Sequence, residues 1–300
     1  VILLDGKVVA NEIMRNVQAE IERWRARPTL SVILTTDRPD SKIYVDKKIK
    51  TCREIGINGK LLQPHHDSSW PVRKYDLLYE TIQRESDWPV DGLLIQSPLP
   101  PELEAYKHSL YDCINPLADV DVFTSTNVGM TLQGRPRFLP CTPHGIYKLL
   151  RYYDVEPAWR KVAIINRSDV VGKPLQSMLI QETIKVGKET YHPNATVTMC
   201  HDHTPHETTK EVCLNSDIIV VAVGKKDFLT ADMVRPGAVV VDVGINRTED
   251  GKICGDADFK NLVEKVAAIT PVPGGVGPCT VAMLMYNTWQ AYKLRHEIWD

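Results

Sequence analysis

Apolar residues recur at helical spacing at Val8, Val9, Ile13, Met14, Val17 and Ile21, the pattern ends near Pro28, and a continuous apolar run follows at 30–34. Three-and-four spacing predicts an amphipathic helix, and a short unbroken run bounded by turn residues predicts a buried strand. The same alternation continues with a helix over 43–55, a strand at 60–62, a helix over 72–85 and a strand at 92–95. Strands separated by helices imply a parallel sheet covered on both faces. The pattern restarts at Lys161, with strands at 162–165, 195–200, 218–223 and 238–243 and a shorter one at 267–270. Residues 135–142 are rich in proline and polar side chains, and the helical stretch 145–153 behind them is expected to bridge two domains. The last helical pattern, 281–294, has no strand after it and is expected to pack back on the first domain. The expected fold class is therefore α/β: two doubly wound α/β domains, the C-terminal one Rossmann-like, with a cleft between them. Their expected extents are 1–145, joined by the terminal segment 281–300, and 146–280.

Composition narrows the function classes. The 300 residues carry a formal net charge of −2, and 25% of them are charged. Such a balance provides no basic stripe for nucleic acid and no charged tail for a membrane surface. The seven cysteines are scattered and contain no CxxC pair. Free thiols of this kind suit a reducing compartment, so a cytoplasmic protein is expected. No apolar run reaches transmembrane length and the first residues do not resemble a signal or transit peptide. The chain starts at Val1, however, and a removed leader would fit a mitochondrial location.

Several segments carry candidate chemistry. Residues 270–278, TPVPGGVGP, hold three glycines and three prolines just before an apolar run. Prolines fix such a backbone while glycines let it approach a flat ligand, although a stiff strand-to-helix turn would look the same. At the end of the first strand of the second half stands Asn166-Arg167-Ser168-Asp169-Val170-Val171-Gly172. In doubly wound folds the free N–H groups of that helix start receive a pyrophosphate. With only Gly172 left of the usual glycine pattern, a plain turn without ligand stays open. The next strand ends in His201-Asp202. An acid there holds the ribose diol of NAD, whereas an arginine such as Arg167 accepts the 2′-phosphate of NADP. Cys200, His201, His203 and His206 offer zinc donors, but they lack a second ligand pair and coincide with the expected ribose position, so no metal is expected.

In the first half, Tyr44 and Lys48 are four residues apart on one helix face. An aromatic plate beside an amine can stack a flat ring and act on its substituent; a solvated lysine face is the alternative. Gln96 ends an apolar strand at the edge where ligands gather in parallel sheets. Asp119 and Asp121 follow in a loop, where a helix cap is the ordinary use of an acid.

Together these segments resemble the methylenetetrahydrofolate dehydrogenase/cyclohydrolase family over nearly the whole chain. The matching blocks are YVDKK (44–48), DGLLIQSPLP (91–100), ADVDVF (118–123), PCTPHG (140–145), NRSDVVGKP (166–174), ATVTMCH (195–201), DVGIN (242–246) and TPVPGGVGPCTVAML (270–284). The resemblance implies oxidation of 5,10-methylenetetrahydrofolate with NAD(P)+ and hydrolysis of the methenyl product to 10-formyltetrahydrofolate. A monofunctional NAD-dependent dehydrogenase is the alternative, raised by Asp202. The resemblance makes Lys48 the cyclohydrolase lysine, with Gln96 beside it, Tyr44 stacking on the folate and Asp121 holding the amino edge of the pterin. It adds Ile95, Ser97, Pro273, Gly274, Gly275, Val276 and Gly277 to the substrate contacts. Asn166, Arg167, Ser168, Asp202 and Ile245 are the implied dinucleotide contacts. NADP is the expected cofactor, NAD the alternative, and a homodimer the expected assembly. Asn166 and Val122 replace glycines of the family pattern. Valine resists the left-handed backbone that glycine allows, so the Asp121 loop is expected to differ locally.

Overall fold

The computed structural model describes residues 1–64, 71–87 and 90–298, so the last two residues of the segment 281–300 lie outside the described residues. In chain order the first elements are β1 (Ile2–Leu3), α1 (Gly6–Trp24), β2 (Thr29–Ile33), α2 (Pro39–Glu54), β3 (Asn58–Leu62), α3 (Pro71–Asp87) and β4 (Gly92–Ile95). Short helices α4 (Pro101–Glu104), α5 (Lys107–Asp112) and α6 (Ser125–Leu132) lead to α7 (Cys141–Tyr152). Then come β5 (Lys161–Ile165), α8 (Gly172–Leu179), β6 (Ile184–Val186), β7 (Glu189–Tyr191), β8 (Thr196–Cys200), α9 (His206–Leu214) and β9 (Ile218–Val221). The chain closes with β10 (Val239–Asp242), β11 (Asn246–Arg247), β12 (Ile253–Cys254), α10 (Phe259–Leu262), β13 (Ala268–Ile269) and α11 (Val276–Arg295).

Two compact units result. One comprises Glu12–Met130, Arg137–Pro140 and Leu284–Asp300. Its parallel sheet has the order β3-β2-β4, with Val32 paired to both Leu61 and Leu94. Strands β2 (TLSVI) and β4 (GLLI) are rich in Val, Leu and Ile because both faces are covered, and Ile33, Leu93 and Ile95 are fully buried. Helix α2 begins with Pro39, whose fixed φ suits a first turn, and it buries Val45, Ile49 and Cys52 along one stripe. Within this unit α11 supplies Trp289, buried and donating its indole N–H to Glu20 of α1.

The other unit comprises Val1–Asn11, Thr131–Pro136 and Cys141–Met283. The six strands of its main sheet run parallel in the order β1-β13-β10-β9-β5-β8. Ala163, Ile165, Ile219, Val221 and Val240 form the core on one side of it. The order turns back on itself where β5 lies between β8 and β9, the arrangement that opens a ligand crevice at the carboxyl ends of the strands. Two features have no counterpart in the sequence pattern. The two-residue strand β1 extends the sheet by pairing with β13, and the polar stretch 181–194 contains the antiparallel hairpin β6–β7.

Candidate active site

The amphipathic stripe of α2 decides where its polar face points. With Val45 and Ile49 in the core, Tyr44 stands exposed and Lys48 half-buried. Lys48 Nζ donates to Gln96 Oε1 at 2.9 Å. Gln96 is the first residue after β4, and its backbone N–H still bonds Ile33 O at 2.8 Å. Its amide nitrogen donates to Ser97 O at 2.7 Å, so the amide oxygen is the atom presented to the lysine. Ile95, immediately before, has its side chain fully buried in the core. Ser97 Oγ lies 2.8 Å from Tyr111 Oη, and Tyr111 stacks on Phe123. A cavity of about 610 Å³ opens at the carboxyl ends of β2 and β4, lined by Thr35, Thr36, Arg38, Lys74, Pro98 and Glu104 among others.

Asp121 is half-buried in a loop organised by its neighbour Asp119. Asp119 is 1% exposed and accepts from Phe123 N–H, Thr124 N–H, Thr124 Oγ–H and Asn127 Nδ2–H. From α11, buried Asn287 donates to Val120 O at 2.8 Å and Leu139 O at 2.9 Å. Val122 takes φ +65°, so the loop keeps the left-handed turn instead of avoiding it. A β-branched residue there stores about 1–2 kcal/mol of strain, and the anchors at Val120, Phe123 and Thr124 hold it in place. The sequence shows Asp119 only as a loop acid beside Asp121, with nothing to mark it as the loop's anchor, and the one signal of Asn287 is a lone Asn in an apolar helix.

In the other unit the start of α8 differs from expectation. Asn166 Oδ1 accepts from Ser168 N–H, Ser168 Oγ–H and Gly172 N–H, and Ser168 Oγ accepts from Val171 N–H. Of the amides expected to be free for a pyrophosphate, those of Val171 and Gly172 are satisfied by side chains and that of Lys173 by Ser168 O at 3.1 Å. Asn166 contributes its side-chain amide; it is not among the residues of positive φ. Gly172 is needed for close approach, since a Cβ would stand 2.2 Å from Asn166 O.

Arg167 Nη2 lies 2.7 Å from Asp202 Oδ1 and 3.0 Å from His203 Nδ1, while His203 Nδ1 lies 3.0 Å from Asp202 Oδ2. These contacts hold the Asp202 carboxyl below its usual range, with the His203 hydrogen bond first among the causes. Donor atoms of His201, Asp202 and His203 fall within 4.8 Å of one another, but Arg167 already occupies two of those residues. Cys200 is buried, which pushes its thiol up and keeps it protonated.

The glycine-proline segment also begins its helix earlier than the apolar pattern suggested. α11 starts at Val276, so Gly277 and Pro278 form its first turn, where a proline has no partner to lose. Pro273 is exposed and Gly274 takes φ +118°. Gly6 N–H donates to Gly274 O at 2.9 Å, and a Cβ on Gly6 would stand 1.7 Å from Gly275 O. Along the neighbouring strand ends, Ile245 is 51% exposed and Val223 36%. Apolar side chains left open at the carboxyl edge of a doubly wound sheet suit a flat ligand ring.

A parallel sheet with a half-buried Lys–Gln pair at its edge, and a second one of dinucleotide-binding type, define a two-domain α/β protein of the nucleotide-using class. The catalytic-domain model of the tetrahydrofolate dehydrogenase/cyclohydrolase family matches residues 4–121, and its NAD(P)-binding-domain model matches residues 140–296. The chain belongs to that family. The bifunctional protein FolD of Sulfurihydrogenibium sp. is 44% identical, covering 97% of this chain and 98% of its own. The crystal structure of the bifunctional enzyme FolD from Campylobacter jejuni superposes with a TM-score of 0.87 at 37% identity, over 98% of this chain and 99% of that one. The Trypanosoma brucei enzyme, described as a complex with NADP cofactor and inhibitor, gives 0.87 at 29% identity over 99% and 98%.

Proposed function

We propose that the protein oxidises 5,10-methylenetetrahydrofolate to the methenyl form with NADP+ and hydrolyses the methenyl form to 10-formyltetrahydrofolate. The observation that carries this reading is the 2.9 Å hydrogen bond from Lys48 Nζ to Gln96 Oε1, within the segment matched by the catalytic-domain model. In the hydrolysis a water oxygen bonds to the methenyl carbon, the bond from that carbon to N5 breaks, and the formyl group stays on N10. Both protons of the water must leave its oxygen: one is released and the other reaches N5 as the carbon–N5 bond breaks. Lys48 is assigned this transfer, because Gln96 fixes its amine in one place and a positioned amine can act as acid or base. Tyr44 is assigned to stack on the folate and Asp121 to accept from its amino edge. Ile95, Ser97, Pro273, Gly274, Gly275, Val276 and Gly277 complete the substrate assignment.

NADP+ supplies the hydride acceptor of the oxidation. That step asks the protein for orientation more than for proton transfer. Asn166, Arg167, Ser168, Asp202 and Ile245 are assigned to the dinucleotide. The charge on Arg167 and the open apolar edge at Ile245 are the features that fit it. On this reading residues 1–145, with the terminal segment 281–300, bind folate and 146–280 bind the dinucleotide, in a cytoplasmic homodimer.

The test is whether the purified protein reduces NADP+ in the presence of methylenetetrahydrofolate and separately consumes methenyltetrahydrofolate. Absence of both activities in a folded preparation would refute the reading. A second reading, a monofunctional NAD-dependent dehydrogenase, is favoured by the Arg167–Asp202 ion pair, which opposes a 2′-phosphate. Initial rates with NAD+ and NADP+, together with the hydrolysis assay, separate the two. Sedimentation at micromolar concentration tests the dimer.

A further inference from the structure

Two aspartates that no assignment above uses are buried at the carboxyl edge of the larger sheet. Asp256 is 0% exposed and Asp242 4%. Asp256 Oδ2 accepts from the backbone N–H groups of Val223 at 2.6 Å and Gly224 at 3.0 Å. Its Oδ1 accepts from Lys225 N–H at 2.9 Å and from Asn246 Nδ2 at 2.8 Å. One carboxylate thereby ties the loop leaving β9 to the start of β11, on the far side of Ile245. Asp242 takes the amide of Gly244 in its own loop at 2.9 Å and those of Asp256 at 3.0 Å and Ala257 at 2.8 Å in the segment facing it. The fit leaves no room for another atom. A Cβ on Gly244 would stand 2.1 Å from Asp256 Cγ, and one on Gly255 would stand 1.9 Å from Asp242 Oδ2.

The linkage continues in both directions along the sheet. Asn166 Nδ2 donates to Ala222 O at 2.5 Å, joining the start of α8 to the end of β9. Thr270 Oγ1 accepts from Asp242 N–H at 2.7 Å, joining β10 to the glycine-proline segment. Side chains therefore bridge the carboxyl ends of β5, β9, β10 and β13 in their order across the sheet. Between the bridges Val223 and Ile245 stay open to solvent. Burying two ionisable acids to hold seven main- and side-chain donors between them is a costly way to stabilise a loop. It is an effective way to keep backbone immobile beside a bound ring, because preorganised contacts lower the entropy lost on binding.

We infer that Asp256, with Asp242 behind it, is a positioning residue for the dinucleotide: it sets the shape of the Val223–Lys225 and Ile245 edge against which the cofactor lies. This inference rests on the dehydrogenase reading above. The clamp lies wholly in the unit matched as NAD(P)-binding, so its effect falls on the cofactor and spares the chemistry at Lys48.

The experiment uses the full chain with Asp256→Asn, which puts an amide NH2 where a second acceptor is needed, and the milder Asn246→Ala. Calorimetric titration with NADP+, the KM for NADP+, kcat, and the cofactor-free hydrolysis rate are measured on the same preparations. Asp256→Asn is expected to weaken NADP+ binding and raise its KM about tenfold or more, the loss of one charge-assisted hydrogen bond. Asn246→Ala should raise it about threefold. For both, kcat and the hydrolysis rate stay within twofold. Unchanged NADP+ affinity in either folded variant overturns the inference, as does an equal loss of both activities, which is what a merely structural role produces. If Asp256→Asn does not fold, Asn246→Ala decides alone. A wild-type protein that turns over no dinucleotide overturns the dehydrogenase reading instead.

Discussion

Arg167 and Asp202 face one another across 2.7 Å at the carboxyl ends of β5 and β8, one the group that suits a 2′-phosphate and the other the group that repels it. Both are substantially exposed, so the pair is a polarity setting more than a stability device. NADP+ can use Arg167 only by displacing Asp202 or by sharing the guanidinium with it.

Replacing Asp202 with serine should therefore sharpen the preference for NADP+. Removing one charge about 4–6 Å from a near-dianionic phosphate changes the binding free energy by about 1 kcal/mol or more, so the ratio of kcat/KM for NADP+ over NAD+ should rise about tenfold. The gain should shrink in 0.5 M salt, because exposed charges are screened. A ratio that does not move would show that Asp202 points away from the cofactor in the working enzyme.

Lys48→Ala should lower the methenyltetrahydrofolate hydrolysis rate by about 100-fold or more, the usual worth of a positioned proton carrier. Gln96→Ala leaves the amine in place but unfixed, and should cost about tenfold. Dehydrogenase turnover, which needs orientation more than proton transfer, should suffer less from Lys48→Ala than hydrolysis does. Hydrolysis at the full wild-type rate in Lys48→Ala would remove the lysine from the mechanism.

The sequence made these side chains visible because regular elements carry them. Val45 and Ile49 fix the orientation of α2, and that fixes Tyr44 and Lys48; the apolar run of β4 places Gln96 at its end. What stayed hidden depends on contacts between distant segments. Two-residue β1 and the three-residue strands β6 and β7 are shorter than any period can register. Asp119 and Asp121 look alike in sequence, and only the fold makes one the buried organiser of the other's loop. Asn166 stands where the family pattern has glycine, and it is the side-chain oxygen, taking three donors, that organises the turn, which no local rule reveals. Val122 shows the converse, a residue that local rules exclude from φ +65° and that tertiary anchors keep there.

Trp159 has the same kind of backbone, held by its N–H to Asn194 O at 3.1 Å, which glycine would keep, but without side-chain packing. Its φ is +65° and its side chain is 92% exposed. A non-glycine residue in this region costs about 1–2 kcal/mol, glycine's extra freedom in the unfolded chain costs about 0.5–1 kcal/mol, and so little packing is present that little is lost. Trp159→Gly should therefore stabilise the protein by about 0.5–1 kcal/mol, seen as a rise in Tm of roughly 1–4 °C. A lower Tm would mean that the indole has a partner in solution.

Asp242 makes stability depend on pH in a direction opposite to that of the acids whose carboxyl a cation holds down, such as Asp232 and Glu189. Burial is the leading cause that lifts its folded pKa from 3.8 to about 6, the nearby Asp256 adds to it, and the three amides oppose it. A group whose folded pKa is raised contributes stability that is complete below its unfolded pKa and lost as pH climbs through the folded one. The window is therefore about pH 4 to 7, and a shift of this size corresponds to about 3 kcal/mol. Asp232, held down to about 2 by Lys210, and Glu189, held down against its burial chiefly by Lys148, work the other way and lose their contribution as pH falls. The wild-type curve alone mixes these effects, so the measurement is a difference: urea unfolding of wild type and Asp242→Asn at steps from pH 4 to 8. Stability of wild type minus variant should fall by about 3 kcal/mol across that range, whatever its value at pH 4. A difference that is flat, or that grows with pH, would place the Asp242 titration outside this window and show that its three backbone amides outweigh burial.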